Sequence, residues 1–291
     1  MSFFSESDRI LFVAPHPDDE SLGGGGLLQR VFAAQIPVRI LFATSGDNNP
    51  WAQRLWEQRW KIGPRERVRW GNKRQQEALA AITTLGGSPG CARFLNFPDH
   101  GITSLLMRGV AELFGTFADE IRAFNPSILV IPAGFDAHPD HSALCVIISL
   151  AFNSIENPGL RILEYLVHQP KIPIHRHTAV LRLDSEEIER KRKAIRCHET
   201  QVALGANRFM RMAKAEEAFY EHVPIGAASD TGPVLKAQIR EDVLNLLIGT
   251  RKLDKLGTEV FLAFRSETAE MLRWRRQNAH PYTSPRANAA F

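Results

Sequence analysis

The sequence predicts an α/β protein built on a mainly parallel sheet. Short, continuously apolar runs recur through the first half of its 291 residues, as suits strands covered on both faces. Between them lie longer stretches whose apolar residues return every three or four positions, the period of a helix. The two kinds of segment alternate, which implies βαβ units with right-handed crossovers.

The elements follow in order. Ile10-Leu11-Phe12-Val13-Ala14 is the first strand, and residues 22–34 carry helical periodicity. Residues 38–44 form the second strand, 75–85 a helix, 92–97 a third strand, 105–124 a long helix and 128–132 a fourth strand. A helix is expected from His141 to about Asn153, then strands near 161–168 and 178–183. Ser185-Glu186-Glu187 reads as an N-cap with acidic first-turn residues, opening a helix towards Val202. Residues 224–232, PIGAASDTG, are small and read as a linker. Beyond it, 233–249 and roughly 258–277 read as helices, and 280–291 as a disordered tail. The predicted organisation is one domain over 1–223, with a linker and a helical C-terminal extension over 224–291. The sequence assigns that extension no purpose.

A hydrophobic content of 44% and a charged content of 23% are ordinary for a soluble globular protein. No apolar run approaches the ~20 residues that span a membrane, and the N-terminus lacks a basic region followed by an apolar one. A cytoplasmic protein without a signal peptide is expected. Cys91, Cys145 and Cys197 make no C-x-x-C pair, so buried thiols in a reducing compartment are expected rather than a cysteine metal site. The net charge of +4 is unevenly spread. Residues 51–74 hold eight arginines and lysines against Glu57 and Glu66, with Trp51, Trp56, Trp60 and Trp70 interleaved. Trp56 and Trp60, four apart, are expected to share a helical face beside Arg59. Such a segment is either a solvated face anchored by tryptophans or a rim that meets an anionic partner.

The chemistry lies in "APHPDDESLGGGG", residues 14–26, directly after the first strand. The dinucleotide fingerprint G-x-G-x-x-G/A fails there. Started at Gly23 it meets Leu28, and started at Gly24 it meets Gln29. Asp18, Asp19 and Glu20 would also turn negative charge on a pyrophosphate, so the electrostatics favours a cation. The glycines are read as letting backbone pass beneath a bound group. His16 and Asp19 can offer a nitrogen and an oxygen to one ion, leaving Asp18 to face its open position. A hydrolytic zinc site needs three protein ligands, and "HPDH", residues 138–141, follows the fourth strand. Pro139 suits a first helical turn. His138 and His141 then share a face, one as ligand and one free for catalysis.

Together these stretches resemble the PIG-L/LmbE-like family of zinc-dependent N-acetyl-sugar deacetylases, whose signature is A-H-P-D-D-E followed by H-x-D-H. "RQQEALAAITTLG" (74–86), "FLNFPDHGI" (94–102), "CHETQ" (197–201) and "EEAFYE" (216–221) extend the resemblance over roughly 8–223. Pro15 and Thr200 depart from the usual Ala and Ser. The segment 51–72 and the C-terminal extension lie outside the family pattern. The resemblance implies a Rossmann-like three-layer αβα fold. It implies one Zn2+ per chain held by His16, Asp19 and His141, with Asp18 as general base and His138 as oxyanion stabiliser. Asp140 is expected to orient His138 and favour its protonated form. Arg74 and Asp99 would contact sugar hydroxyls or an attached anionic group. The alternatives for these two are an Arg74–Glu77 surface pair and a helix-capping Asp99.

The implied substrate is an N-acetylglucosamine-type sugar or glycoconjugate, with an anionic aglycone suggested by 51–74. The rival within enzymes is a zinc amidase acting on a bulkier amide. A nucleic-acid module would leave the metal constellation unexplained, and a silent metal scaffold would leave the catalytic residues without use. No nucleic acid and no membrane span are expected; a homo-oligomer is allowed.

Overall fold

The computed structural model describes residues 3–107, 111–153, 159–168, 179–203 and 205–222, and five short strands beyond them. The chain divides into two compact units, one of Met1–Leu106 with Val110–His222 and one of Met107–Gly109 with Val223–Phe291.

In the first unit the strands β1 (Ile10–Ala14), β2 (Val38–Thr44), β3 (Ala92–Phe97), β4 (Ile128–Pro132), β5 (Arg161–Tyr165), β6 (Ala179–Arg182) and β7 (Glu216–Glu221) form one sheet. Their order is β3-β2-β1-β4-β5-β7-β6. The first five strands in that order run parallel, and β7 runs antiparallel to both neighbours. β1 sits centrally, with Ile10 paired to Val38 on one side and to Ile128 on the other. All five of its residues are buried, which is why its sequence is apolar without alternation.

The intervening helices are α1 (Asp19–Ala33), α2 (Pro50–Glu57), α3 (Pro64–Thr84), α4 (Ile102–Met107), α5 (Ala111–Phe124), α6 (Pro139–Asn153), α7 (Ser185–Cys197), α8 (Glu199–Val202) and α9 (Ala206–Met210). Ile10, Phe12 and Ala14 project into one core with Leu27, Leu28 and Val31 of α1, Ala78 and Ile82 of α3, and Ala194 and Ile195 of α7. Leu11 and Val13 point to the opposite face by alternation, where Leu113 and Phe117 of α5 and Leu144 and Ile148 of α6 are equally buried. Apolar helix faces on both sides of the sheet make the expected three layers.

The glycine run has a different use from the one its sequence suggested. A Cβ on Gly23, Gly24 or Gly26 would come within 3.0 Å of Tyr165, Phe12 or Leu183 respectively. The glycines therefore let α1 settle onto the sheet and leave no room for a bound group. α1 is anchored further by Glu217, which accepts from Gly26 N at 2.7 Å and Leu27 N at 3.0 Å and pairs with buried Lys191 at 2.5 Å.

Other boundaries shift for local reasons. Asp184, not Ser185, caps α7, because its carboxylate accepts from Glu187 N while Glu187 returns a bond to Asp184 N. α2 stops at Glu57, where Gln58 turns left-handed (φ 51°), so Trp56 and Trp60 do not share a helical face. Residues 105–124 comprise α4 and α5, and α3 begins earlier than expected, at Pro64, because Pro64 and Glu66 open it.

The second unit corrects the helical reading of 233–249 and 258–277. Val234–Arg240 and Val243–Ile248 pair as antiparallel strands β8 and β9, and Val260–Ala263 and Met271–Trp274 as β10 and β11. Lys236, Gln238 and Arg240 alternate with Ala237 and Ile239, a period of two that overrides the helix-forming composition. A two-residue strand β12, Ala287–Asn288, adds to β9 within the tail expected to be disordered. The linker 224–232 lies outside the described residues.

Candidate functional site

The chain leaves β1 towards β2 on one side and reaches β4 on the other, so β1 and β4 flank the topological switch point of the sheet. In open α/β sheets ligands bind beyond the strand ends at such a point. Residues 15–18 follow β1, 45–49 follow β2, 98–101 follow β3 and 133–138 follow β4. These loops, with the first turns of α1 and α6 and with Arg74 of α3, bring together all eight residues singled out from the sequence.

At the centre stand three imidazoles. One ring nitrogen each of His16, His138 and His141 lies within 4.8 Å of the others. Asp19 joins two of them, its Oδ2 being 3.2 Å from His16 Nδ1 and 3.2 Å from His141 Nε2. His16 Nε2 faces Asp99 Oδ1 at 3.1 Å and Asp140 Oδ2 at 3.6 Å. All of these but His138 are buried. His16 Nε2, His141 Nε2, Asp99 Oδ1 and Asp140 Oδ2 nevertheless make no aligned hydrogen bond. Lone-pair atoms that are close, buried and unaligned fit a shared cation better than they fit one another.

Charge supports the same fit. Asp18, Asp19, Asp99, Asp136 and Asp140 are all buried here, and Arg74 is the permanent cation paired with them, through Asp18. Burial pulls the His16 imidazolium down, yet Asp140, Asp19 and Asp99 hold it well above the ordinary histidine range. Burial also opposes the charge on His141, but Asp19 and Asp136 raise it to about 9. Burial raises the Asp19 carboxyl, and His141 and His16 carry it well below the carboxylate range. The cluster demands positive charge, supplied by protons on His16 and His141 or by a metal replacing them. The mixed imidazole and carboxylate donors suit zinc and similar divalent ions.

The remaining acidic residues are sorted by direction. Asp18 Oδ2 pairs with Arg74 Nη2 at 3.1 Å. Arg74 is itself buried and also donates to Gly46 O at 2.9 Å and Pro17 O at 3.2 Å. It thus ties the loops after β1 and β2 together, instead of presenting a free fork to ligand or pairing with Glu77. Glu77 instead accepts from both the amide and hydroxyl of Thr200, which shows the work of the "CHETQ" stretch. Glu20 turns away to His198 Nε2 at 2.9 Å. Asp99 caps no helix: its Oδ1 faces His16 and its Oδ2 accepts from Asn48 N at 3.0 Å.

His138 departs from expectation. Its partner is the backbone of Asp140, whose N–H donates to His138 Nδ1 at 3.2 Å, while the Asp140 carboxylate faces His16. Burial and the neighbouring His16 and His141 push the His138 pKa down to about 4. The ring is therefore neutral, and its proton sits on Nε2.

Two contributors escaped the sequence reading. Asp136 accepts from Val167 N and His168 N at 3.0 Å each and from His138 N at 2.9 Å. Its Oδ2 lies 3.2 Å from His141 Nδ1, the place from which a carboxylate fixes a metal-binding ring. His168 lies against the same carboxylate at 3.3 Å. An acidic residue two positions before "HPDH" in a strand-end loop was the available signal for Asp136; His168 had none.

Residues 11–152 match the family model described as PIG-L: GlcNAc-PI de-N-acetylase. A 1D-myo-inositol 2-acetamido-2-deoxy-alpha-D-glucopyranoside deacetylase from Gordonia bronchialis is 31% identical over 150 residues, 45% of this chain and 52% of the relative. The chain thus spans about half the length of the curated relatives it matches. Among solved structures, N,N'-diacetylchitobiose deacetylase from Pyrococcus horikoshii superposes with a TM-score of 0.58 at 20% identity, covering 75% of this chain and 84% of that one. The 4-carboxy-2-hydroxymuconate hydratase of Pseudomonas putida gives 0.56 at 19% identity, over 76% and 99%. These two likenesses establish the fold and leave the chemistry to the site. Over residues 11–152, just under half of its length, the chain is similar to the PIG-L family.

Proposed function

We propose that the chain is a zinc-dependent hydrolase that removes the acetyl group from an N-acetylglucosamine-type sugar or glycoconjugate. The observation that carries this is the meeting of His16, Asp19 and His141 with Asp18 and a neutral His138 at the switch point. The relatives named for sugar deacetylation support the substrate class. In this reading residues 1–223 form the catalytic part.

His16, Asp19 and His141 would hold the zinc ion, which when bound lowers the pKa of a water and polarises a carbonyl. Asp18 takes the proton of the attacking water, and Arg74 fixes the Asp18 carboxylate from behind. His138 donates its Nε2–H to the amide oxygen as that oxygen gains negative charge, a preorganised contact often worth 10²–10³ in rate. The C–N bond then breaks with its electron pair on nitrogen. The proton held by Asp18 passes to that nitrogen, releasing acetate and a free amine. Asp140 sets the His138 tautomer through its backbone and bears on His16 through its carboxylate. Arg74 and Asp99 serve behind the reacting groups as positioning residues.

An aglycone, where the substrate carries an anionic one, would meet the groove of about 520 Å³ lined by Trp56, Arg59, Arg69, Trp70 and Lys73. Trp70 lies one helical turn from Arg74 on α3, about 6 Å along its axis. Amine release from a panel of N-acetyl sugars, with and without chelator, tests the assignment. Chelator-sensitive acetate and amine in equal amounts are expected. Absence of hydrolysis by zinc-loaded protein across the panel would overturn it.

A further inference from the structure

Every large hydrophobic side chain exposed among the described residues lies in one segment: Trp51 (68% exposed), Leu55 (62%), Trp56 (42%), Trp60 (80%) and Val68 (62%). Trp70 shows what a structural tryptophan of this segment does: it is buried. Trp51 and Leu55 do the reverse. They are four apart on α2, whose inner face is taken by Ala52 and Gln53, so both face outward together. Arg54 lies over the Trp51 ring at 5.0 Å and donates from Nε to Trp60 O at 3.0 Å. That bond draws Trp60 alongside α2, and the three side chains border one shallow depression of about 470 Å³.

The same segment holds more than the whole net positive charge of the chain. Eight basic residues stand against two acidic ones in 51–74, while the chain as a whole carries +4. Two copies meeting through this face would set like charge against like charge, so the charge opposes self-pairing. Nucleic acid would satisfy the arginines and stack on tryptophan, but Leu55 and Val68 offer it no π-face and gain most from hydrocarbon. Indole rings seat at the level of lipid headgroups, leucine enters the acyl boundary, and arginine forks take phosphate.

We propose that α2, the connection after it and the start of α3 form a docking surface for an anionic lipid bilayer. Trp51, Leu55 and Trp60 insert at the interface, and Arg54, Lys61 and Arg65 meet lipid phosphate. The surface begins two residues beyond Asn48, whose amide binds Asp99 of the central cluster, so docking sets that edge of the sheet against the membrane. This binding is independent of the hydrolytic reading and stands or fails without it.

The test is co-sedimentation of the full chain with phosphatidylcholine vesicles, with and without phosphatidylglycerol. Binding that needs phosphatidylglycerol and weakens as salt rises is expected. Replacing Arg54, Lys61 and Arg65 by Gln should weaken it roughly a hundredfold, since each basic residue near such a surface contributes about a fivefold effect. Trp51→Ser with Trp60→Ser should abolish it at an unchanged melting temperature. Brominated phosphatidylglycerol should quench the tryptophan emission of the unmodified chain, a readout that needs no variant. Equal retention by both vesicle types would overturn the proposal, as would absent quenching. So would retention of RNA without vesicles, or a dimer dispersed by the tryptophan replacements.

Discussion

Adding zinc to the chelated chain at pH 7 should release two protons per ion bound. The number follows from the cluster. Without metal, His141 titrates at about 9 and His16 well above the ordinary histidine range, so both carry a proton at neutrality. Neither can offer a lone pair until that proton leaves. Asp19 is held well below the carboxylate range and His138 near 4, so neither contributes a proton. Two protons displaced means that zinc affinity climbs about a hundredfold for each pH unit below neutrality's upper edge. The climb flattens as pH passes 9, where His141 has already lost its proton. Calorimetric titration in two buffers of different ionisation enthalpy reads the count directly. Fewer than one proton at pH 7 would refute the reasoning, because it would mean that the carboxylates do not hold His16 and His141 charged.

Three further outcomes follow from the same geometry. Asp18→Asn should retain zinc, measured by elemental analysis, and lose at least ~10² in turnover, since an amide cannot take the water's proton; near-unchanged turnover would place the base elsewhere. Arg74→Gln strips a buried carboxylate of its partner and should cost on the order of 3 kcal/mol in denaturant unfolding, with no loss indicating that solvent reaches Asp18. The metal-free chain should also lose stability as pH rises. Its His141 pKa is raised from 6.5 to about 9, so the contribution is full below 6.5 and disappears through 9. That contribution is on the order of 3 kcal/mol, and the melting temperature of chelated protein should fall across this window while zinc-loaded protein stays level.

The strands were readable because burial on both faces forces continuous apolar runs, as in Ile10–Ala14 and Ile128–Pro132. Parallel strands then carry His16 and His141, over a hundred residues apart, to one edge. What the pattern could not hold was direction. Asp18, Asp19 and Glu20 are consecutive, and each turns to a different partner: Arg74, the histidine pair and His198. Those partners come from α3, α6 and the end of α7, and only folded geometry selects among them. The strands at 234–248 were misread for another reason. Leucine, lysine and glutamate there favour a helix in isolation, and pairing across β8 and β9 overrides that weak preference.

The "HPDH" stretch shows how a helix start can set the protonation state of an imidazole ring. α6 begins at Pro139, so His138 occupies its N-cap and Asp140 its second position. The first amides of a helix lack carbonyl partners. Ser or Asp commonly supplies the acceptor at an N-cap; here His138 Nδ1 takes the Asp140 N–H. That bond requires a lone pair on Nδ1, so the ring proton is confined to Nε2. The positive end of the helix dipole also opposes a second proton. His16 and His141, kept charged by carboxylates, lie with their ring centroids 4.8 and 5.1 Å from that of His138, and they too oppose it. One turn of helix thus separates two histidines into opposite roles. His141, inside the turn and backed by Asp136, is poised to exchange a proton for a metal. His138, capping the turn, remains a neutral donor.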